Sequence, residues 1–301
     1  MQKIIPNLWF DNNTEEAVAF YTSIFENSRV GNTAHYDAES AKVSGQPEGS
    51  VLTIEFWLEG YQFLALNGGP AFHFTPAISF LVACENKEKV DRLWQQLSQG
   101  GQALMELGNY PFSERYGWVQ DKYGVSWQIM FAEDMEIKQT ITPTLMYVGD
   151  MAGKAEEAIA LYTGLFDNSK IDNVMRYEAG EEPDKEGTIK HASFQLAGEQ
   201  FAAMDSAQDH KFTFTEAISL MVYCDDQAEI DKYWNALSAV PEAEQCGWLK
   251  DKFGMSWQIT PKILDEWLAD SNPAKAQATM KVMLSQHKLD IAELQRAHDE
   301  A

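Results

Sequence analysis

Basic residues are scarce in this chain: 23 lysines and arginines face 46 aspartates and glutamates over 301 residues, a formal net charge of −23. Such a surface repels phosphate backbones and anionic bilayers, so neither nucleic acid nor membrane is expected as a partner. Cysteine is nearly absent, with three residues, and a disulfide framework is excluded. Cys84 and Cys224 occupy equivalent places in a repeat described below and suit buried reduced thiols, while Cys246 has no basic neighbour to activate it. Long apolar runs are missing as well. Ile78-Ser-Phe-Leu-Val-Ala-Cys84 is far too short to cross a bilayer, and the opening Met1-Gln-Lys-Ile-Ile-Pro-Asn7 lacks the apolar stretch of a secretion signal, so a cytoplasmic location is expected. No Gly-x-Ser-x-Gly, Cys-x-x-Cys or His-Glu-x-x-His motif occurs, which removes the usual grounds for a hydrolase or a zinc site.

What the chain does have is repetition. Asp121-Lys-Tyr-Gly-Val-Ser-Trp-Gln-Ile129 and Asp251-Lys-Phe-Gly-Met-Ser-Trp-Gln-Ile259 agree at seven of nine positions. Each reads as a turn running into a closing strand, which cannot bury its apolar face alone. Two copies 130 residues apart therefore imply two complete domains, with boundaries at 1–135 and 141–261.

Within each copy the pattern is the same. Pro6-Asn-Leu-Trp-Phe10 reads as a strand, and Asp11-Asn-Asn-Thr14 supplies capping residues for a helix whose Ala17, Phe20, Tyr21, Ile24 and Phe25 share one face. Ala158, Leu161, Tyr162, Leu165 and Phe166 repeat that face. A loop, Ser44-Gly-Gln-Pro-Glu-Gly49, leads to two strands joined by Glu59-Gly60, giving β-α-β-β-β, and Ala77 starts the pattern again. Ala217 repeats Ala77 at an offset of 140, so the first copy carries ten extra residues between Gly100 and Tyr116, expected as a surface loop or, through Tyr110, Phe112 and Tyr116, a lid. Residues 262–301 read as a helical tail, docked through a stripe that includes Met280, Met283, Leu284 and His287.

Paired β-α-β-β-β modules, the Phe20-Tyr21 and Leu161-Tyr162 helix signatures and the Asp-x-x-Gly-x-x-Trp-Gln-Ile closing strands resemble the vicinal oxygen chelate superfamily of glyoxalases, bleomycin-resistance proteins and extradiol dioxygenases. Within it the chain is similar to PhnB-like proteins, which carry the label 3-demethylubiquinone-9 3-methyltransferase. The fold class this implies is α+β: tandem glyoxalase-like domains, each of two βαβββ modules, followed by the helical tail. The resemblance also implies a ligand cleft on each sheet, an internal pseudo-dimer with further association into a homodimer left open, and a divalent metal held by His, Glu or Gln from the first and last strands of each module.

The residues at those places are poor in ligands. Pro6 and Pro143 fall near the first ligand position, and Ser79 and Ser219 are the polar choices on the next first strands. Asn67 with Gln128, and Asp205 with Gln258, are oxygen donors short of a metal-binding triad. No cofactor is therefore expected; Asp205, Gln258 and His191 are the residues to which a divalent metal would fall. The glycine-rich turn of a common S-adenosylmethionine site is missing too, Gly68-Gly69 and Gly100-Gly101 being isolated pairs. The expected function is binding of a small organic molecule in the cleft. Metal-dependent glyoxalase- or dioxygenase-like catalysis is the alternative, and methyl transfer the third reading. Candidate cleft residues are Glu55, Trp57, Asn67 and Gln128 in the first copy and His191, Ser193, Gln195, Asp205 and Gln258 in the second, with His191 and Asp205 expected side by side and the second cleft the more polar.

Overall fold

A computed structural model describes residues 2–133 and 136–301. The first module comprises β1 (Ile4–Phe10), α1 (Thr14–Ile24), β2 (Arg29–His35), α2 (Ala38–Ser44), β3 (Val51–Leu58) and β4 (Tyr61–Asn67). The second comprises β5 (Ile78–Cys84), α3 (Lys87–Leu97), β6 (Gln102–Tyr110), β7 (Ser113–Gln120) and β8 (Ser126–Phe131). The third is β9 (Ile141–Tyr147), α4 (Ala155–Leu165), β10 (Lys170–Arg176), β11 (Ile189–Leu196) and β12 (Glu199–Asp205). The fourth is β13 (Ile218–Cys224), α5 (Gln227–Leu237), β14 (Trp248–Lys250) and β15 (Ser256–Pro261), and the tail adds α6 (Ile263–Leu268), α7 (Pro273–Ser285) and α8 (Ile291–Asp299).

The strands join across the two sequence halves. One sheet runs β14-β15-β13-β1-β4-β3-β2 and the other β10-β11-β12-β9-β5-β8-β7-β6. The first module thus shares a sheet with the fourth, and the second with the third, through antiparallel seams that set Asn7 opposite Ser219 and Ser79 opposite Thr144. The loops before β5 and β13 exchange equivalent hydrogen bonds, Thr75 Oγ1 donating to the Thr213 carbonyl and Thr215 Oγ1 to that of His73. Reciprocity of this kind is what an internal two-fold axis produces.

The repeated Asp-x-x-Gly motif holds the core of each half together. Asp121 and Asp251 are buried acceptors of four bonds each. Tyr21 Oη (2.7 Å) and Trp127 Nε1 (2.8 Å) donate to one oxygen of Asp121, and the backbone amides of Tyr123 and Val125 to the other. Asp251 receives the same four from Tyr162, Trp257, Phe253 and Met255. Each carboxylate therefore fixes its turn, the closing strand and the module-opening helix at once. Trp127 packs against Tyr21 and Phe25, and Trp257 against Tyr162 and Phe166. Gly124 and Gly254 supply the positive φ the turn requires.

Three local expectations change. The ten extra residues of the first copy form no loose loop: they build the β6–β7 hairpin at the sheet edge. The β-α-β-β-β order of the first module gains a second helix, α2, which is started by an Asp37–Ser40 capping box and takes in Ser44, the first residue of the expected loop. Asn13 makes no side-chain cap on α1; that cap arrives from another strand, as described below. The tail is docked: Leu264, Leu289 and Leu294 bury one another, and the amides of Cys246 and Gly247 donate to the carbonyls of Gln286 and His287. His287 itself lies beyond the end of α7, with an exposed side chain.

Candidate functional site

Strand alternation separates the two faces of each sheet. In β1, Ile4, Leu8 and Phe10 enter the main core, which leaves Ile5, Asn7 and Trp9 on the opposite face. In β13, Ile218, Leu220 and Val222 enter the core and Ser219, Met221 and Tyr223 oppose it. This outer face of the first sheet is curled, because the rings of Trp9 on β1 and Trp248 on β14 stand 6.0 Å apart although two strands intervene.

The middle of each outer face is a cross-strand row. In the first sheet Glu55, Leu64, Asn7 and Ser219 are successive partners, and Gln258 Nε2 donates to Ser219 Oγ at 2.8 Å. In the second, Ser193, Ala202, Thr144 and Ser79 are successive partners, and Gln128 Nε2 donates to Ser79 Oγ at 2.8 Å. The Ser–Gln pair is thus built twice. Gln128 is further held by the Tyr116 hydroxyl, 2.8 Å from its Oε1. In the first sheet Asn7 is only 3% exposed, and its side-chain oxygen has no hydrogen-bond partner among the described residues.

Of the residues singled out from sequence, Glu55 and Trp57 lie on this outer face, with the Arg29 guanidinium 3.3 Å from the centre of the Trp57 ring. Gly31 on the neighbouring strand makes room for that ring, since a Cβ there would come within 2.5 Å of it. Gln128 and Gln258 sit at the two centres. His191, Ser193 and Gln195 line the outer face of β11, and burial lowers the His191 pKa, favouring the neutral imidazole.

Asn67 and Asp205 do not belong to either cleft. They share the inward parity of Phe63 and Ala65, and of Phe201 and Ala203. Asn67 Oδ1 accepts from both the amide (3.1 Å) and the hydroxyl of Thr14, and its Nδ2 donates to the Val51 carbonyl at 3.0 Å. Asp205 accepts from the amides of Gly153, Ala155 and Ile189 at 2.8–3.0 Å. Both side chains cap helices, α1 and α4, from the end of a neighbouring strand. Burial raises the Asp205 carboxyl above the usual range while those amides oppose the shift. The neighbour of His191 on the outer face is accordingly Met204, and the expected His191–Asp205 pair is not formed.

Asn7 and Thr144 were missed in favour of the adjacent Pro6 and Pro143, although the buried Leu8 and Leu145 already mark the inward parity. Trp118 and Trp248, repeated like the core tryptophans, also stand on outer faces, Trp118 donating to Ser126 Oγ. The ends of the two clefts differ. Tyr223 donates at 2.6 Å to Asp265 on α6, whose carboxyl burial raises, so the tail closes one end of the first. In the second, Tyr110, Phe112 and Tyr116 cluster at the tip of the β6–β7 hairpin.

The donor sets bear on a divalent metal. Where the first and last strands of the modules converge, the side chains are Asn7, Leu64, Ser219 and Gln258 in one sheet and Thr144, Ala202, Ser79 and Gln128 in the other. These are amides, hydroxyls and alkyl groups without a carboxylate or imidazole, and they do not fit a tightly held divalent ion. Among the described residues no three His, Cys, Asp or Glu side chains gather into a metal-holding group.

A family model described as 3-demethylubiquinone-9 3-methyltransferase matches residues 2–130 and 139–260. The chain belongs to this family. The PhnB protein from Bacillus cereus is 42% identical over 44% of this chain and 100% of its own, with a TM-score of 0.40. A protein from Staphylococcus aureus is 33% identical over 44% of this chain and 98% of its own, with a TM-score of 0.19. Glyoxalase I from Zea mays is 11% identical over 89% of this chain and 98% of its own, with a TM-score of 0.52, a likeness of fold alone. No curated protein matches the chain. The molecule is thus a tandem repeat of this family with a glyoxalase-like fold, and no helix among its described residues is long and apolar enough to cross a membrane.

Proposed function

We propose that this PhnB-like protein binds a small organic molecule on the outer faces of its sheets, by hydrogen bonds and aromatic contact rather than through a resident divalent metal. The unpartnered, buried amide oxygen of Asn7 carries the reading. Leaving such an acceptor unmet costs about 1–3 kcal/mol, which a ligand N–H or O–H would recover. The Ser219–Gln258 pair lies beside it for orientation, and Trp9, two residues along the same face of β1, offers aromatic surface together with Trp248. A metal-dependent enzyme would need harder or more basic ligands than these neutral groups.

Native mass spectrometry and elemental analysis of protein purified without added metal test the proposal together. An organic mass that dissociates on mild activation, with a thermal-shift response at least tenfold weaker in Asn7→Leu, is the expected result. Nickel, iron, manganese or zinc near one equivalent would overturn it.

A further inference from the structure

The second sheet carries a set of side chains that the small-molecule reading leaves unused. On its outer face, one step along the strands from the central row, Met175 on β10 is the direct partner of His191 on β11. The Ala192–Ala203 pairing next to it sets His191 opposite Met204 on β12, and Met204 is in turn the partner of Met146 on β9. Four adjacent strands therefore present Met, His, Met and Met in one line, with neighbouring Cβ atoms roughly 4.5–5.5 Å apart. Met146 is buried, His191 and Met204 half-buried and Met175 exposed, so the line runs from the protein interior to solvent. No charged side chain interrupts it.

The corresponding row of the first sheet is Ala34, Thr53, Leu66 and Trp9, in the same register and without a thioether or an imidazole. The line is accordingly a property of the second sheet and not of the fold. Thioethers and an imidazole form a soft, uncharged ligand set, the kind that prefers Cu(I) to hard divalent cations. Methionine's unbranched, rotatable side chain allows sulfurs from both flanking strands to turn toward one imidazole nitrogen. His191 is also free for the task, because burial alone perturbs it and no hydrogen bond or charge from a described residue engages it. We propose that Met175, His191 and Met204, with Met146 behind them, form a binding site for a monovalent soft cation, Cu(I).

The test uses the full-length chain carrying Cys246→Ser, because Cys246 is a half-buried thiol that would itself take the metal. Anaerobic titration with Cu(I) against a chromogenic chelator should give one tightly held ion per chain. Met204→Leu and His191→Gln should each weaken it at least tenfold. The Leu replacement conserves volume, and a metal-free melting curve verifies folding; if Met204→Leu does not fold, Met175→Leu, at an exposed position, must show the same loss. With methyl-labelled methionine and Ag(I) as a redox-stable probe, the signals of Met146, Met175 and Met204 should move among the 12 methionines. Failure to bind in the Cys246→Ser protein, affinity indifferent to these substitutions, or methyl shifts confined to other methionines would each overturn the assignment. None of these readouts depends on an organic ligand, so the failure of this proposal and of the previous one are separable.

Discussion

Replacing Asp121 by alanine removes one carboxylate and strands four donors: the Tyr21 hydroxyl, the Trp127 indole and the amides of Tyr123 and Val125, now at 2.7–3.0 Å. An unmet buried donor costs about 1–3 kcal/mol, but the four share one acceptor, so their costs do not add. The Tyr hydroxyl can rotate, and water can enter the space vacated. The loss exceeds that of one unmet donor and falls short of four, and about 2–4 kcal/mol is expected here. In a unit of this size it lowers the melting temperature by roughly 10 °C. Asp121→Asn should cost less, about 1–3 kcal/mol, because the amide still accepts from the turn but turns an N–H toward the indole N–H. Burial raises the Asp121 carboxyl above the ordinary aspartate range, against the four donors. The folded state therefore holds its proton to higher pH than the unfolded chain. Stability contributed by this group is full below the unfolded pKa, declines as pH rises through the folded one, and that slope disappears in Asp121→Asn. Chemical denaturation from pH 4 to pH 8 measures both effects. A loss below about 1 kcal/mol in Asp121→Ala would show that the motif does not tie helix, turn and strand together as argued.

Three further outcomes are expected. Asn67→Ala and Asp205→Ala should each cost about 1–2 kcal/mol in a melting experiment, as helix-cap losses, while leaving cleft ligand affinity within a few-fold; a selective loss of binding in Asp205→Ala would contradict its placement. Truncation after Pro261 removes the Tyr223–Asp265 bond and the amide bonds of Cys246 and Gly247, and should destabilise the chain by about 2 kcal/mol or more, whereas an unchanged melting temperature would mean the tail adds nothing. Calorimetry with S-adenosylmethionine should show no saturable heat, and one-to-one binding in the micromolar range would revive methyl transfer.

The repeat, the module order and the helix faces were legible because they rest on periodicity and on duplicated residues. The site was only partly so. Glu55, Trp57, Ser193 and His191 follow from alternation within one strand. Asn67 and Asp205 were misplaced by carrying odd numbering around a hairpin, where Leu58 pairs with Tyr61 and Leu196 with Glu199. A two-residue turn reverses the parity, so the outer face continues at Gln62, Leu64 and Leu66. Glu59-Gly60 held that information, both residues adopting the positive φ of such a turn. The pairing of β1 with β13 and of β5 with β9 was not legible at all, since either half could have closed its own sheet with the same apolar stripes. The capping roles were hidden for a similar reason: the partners of Asn67 and Asp205 lie about fifty residues away in sequence.

Sheets shared between the halves also change what mutation can do. Two identical single-repeat chains that exchanged modules in this way would build two identical clefts, and every substitution would appear twice. Joining the repeats in one chain lifts that obligation. Asn7 can differ from Thr144, Leu64 from Ala202 and Trp9 from Met146 while the seams, the buried aspartates and the Ser–Gln pairs stay duplicated. The covalent link thus lets one scaffold vary its two outer faces independently, one assembled from the terminal modules of the chain and the other from the central pair.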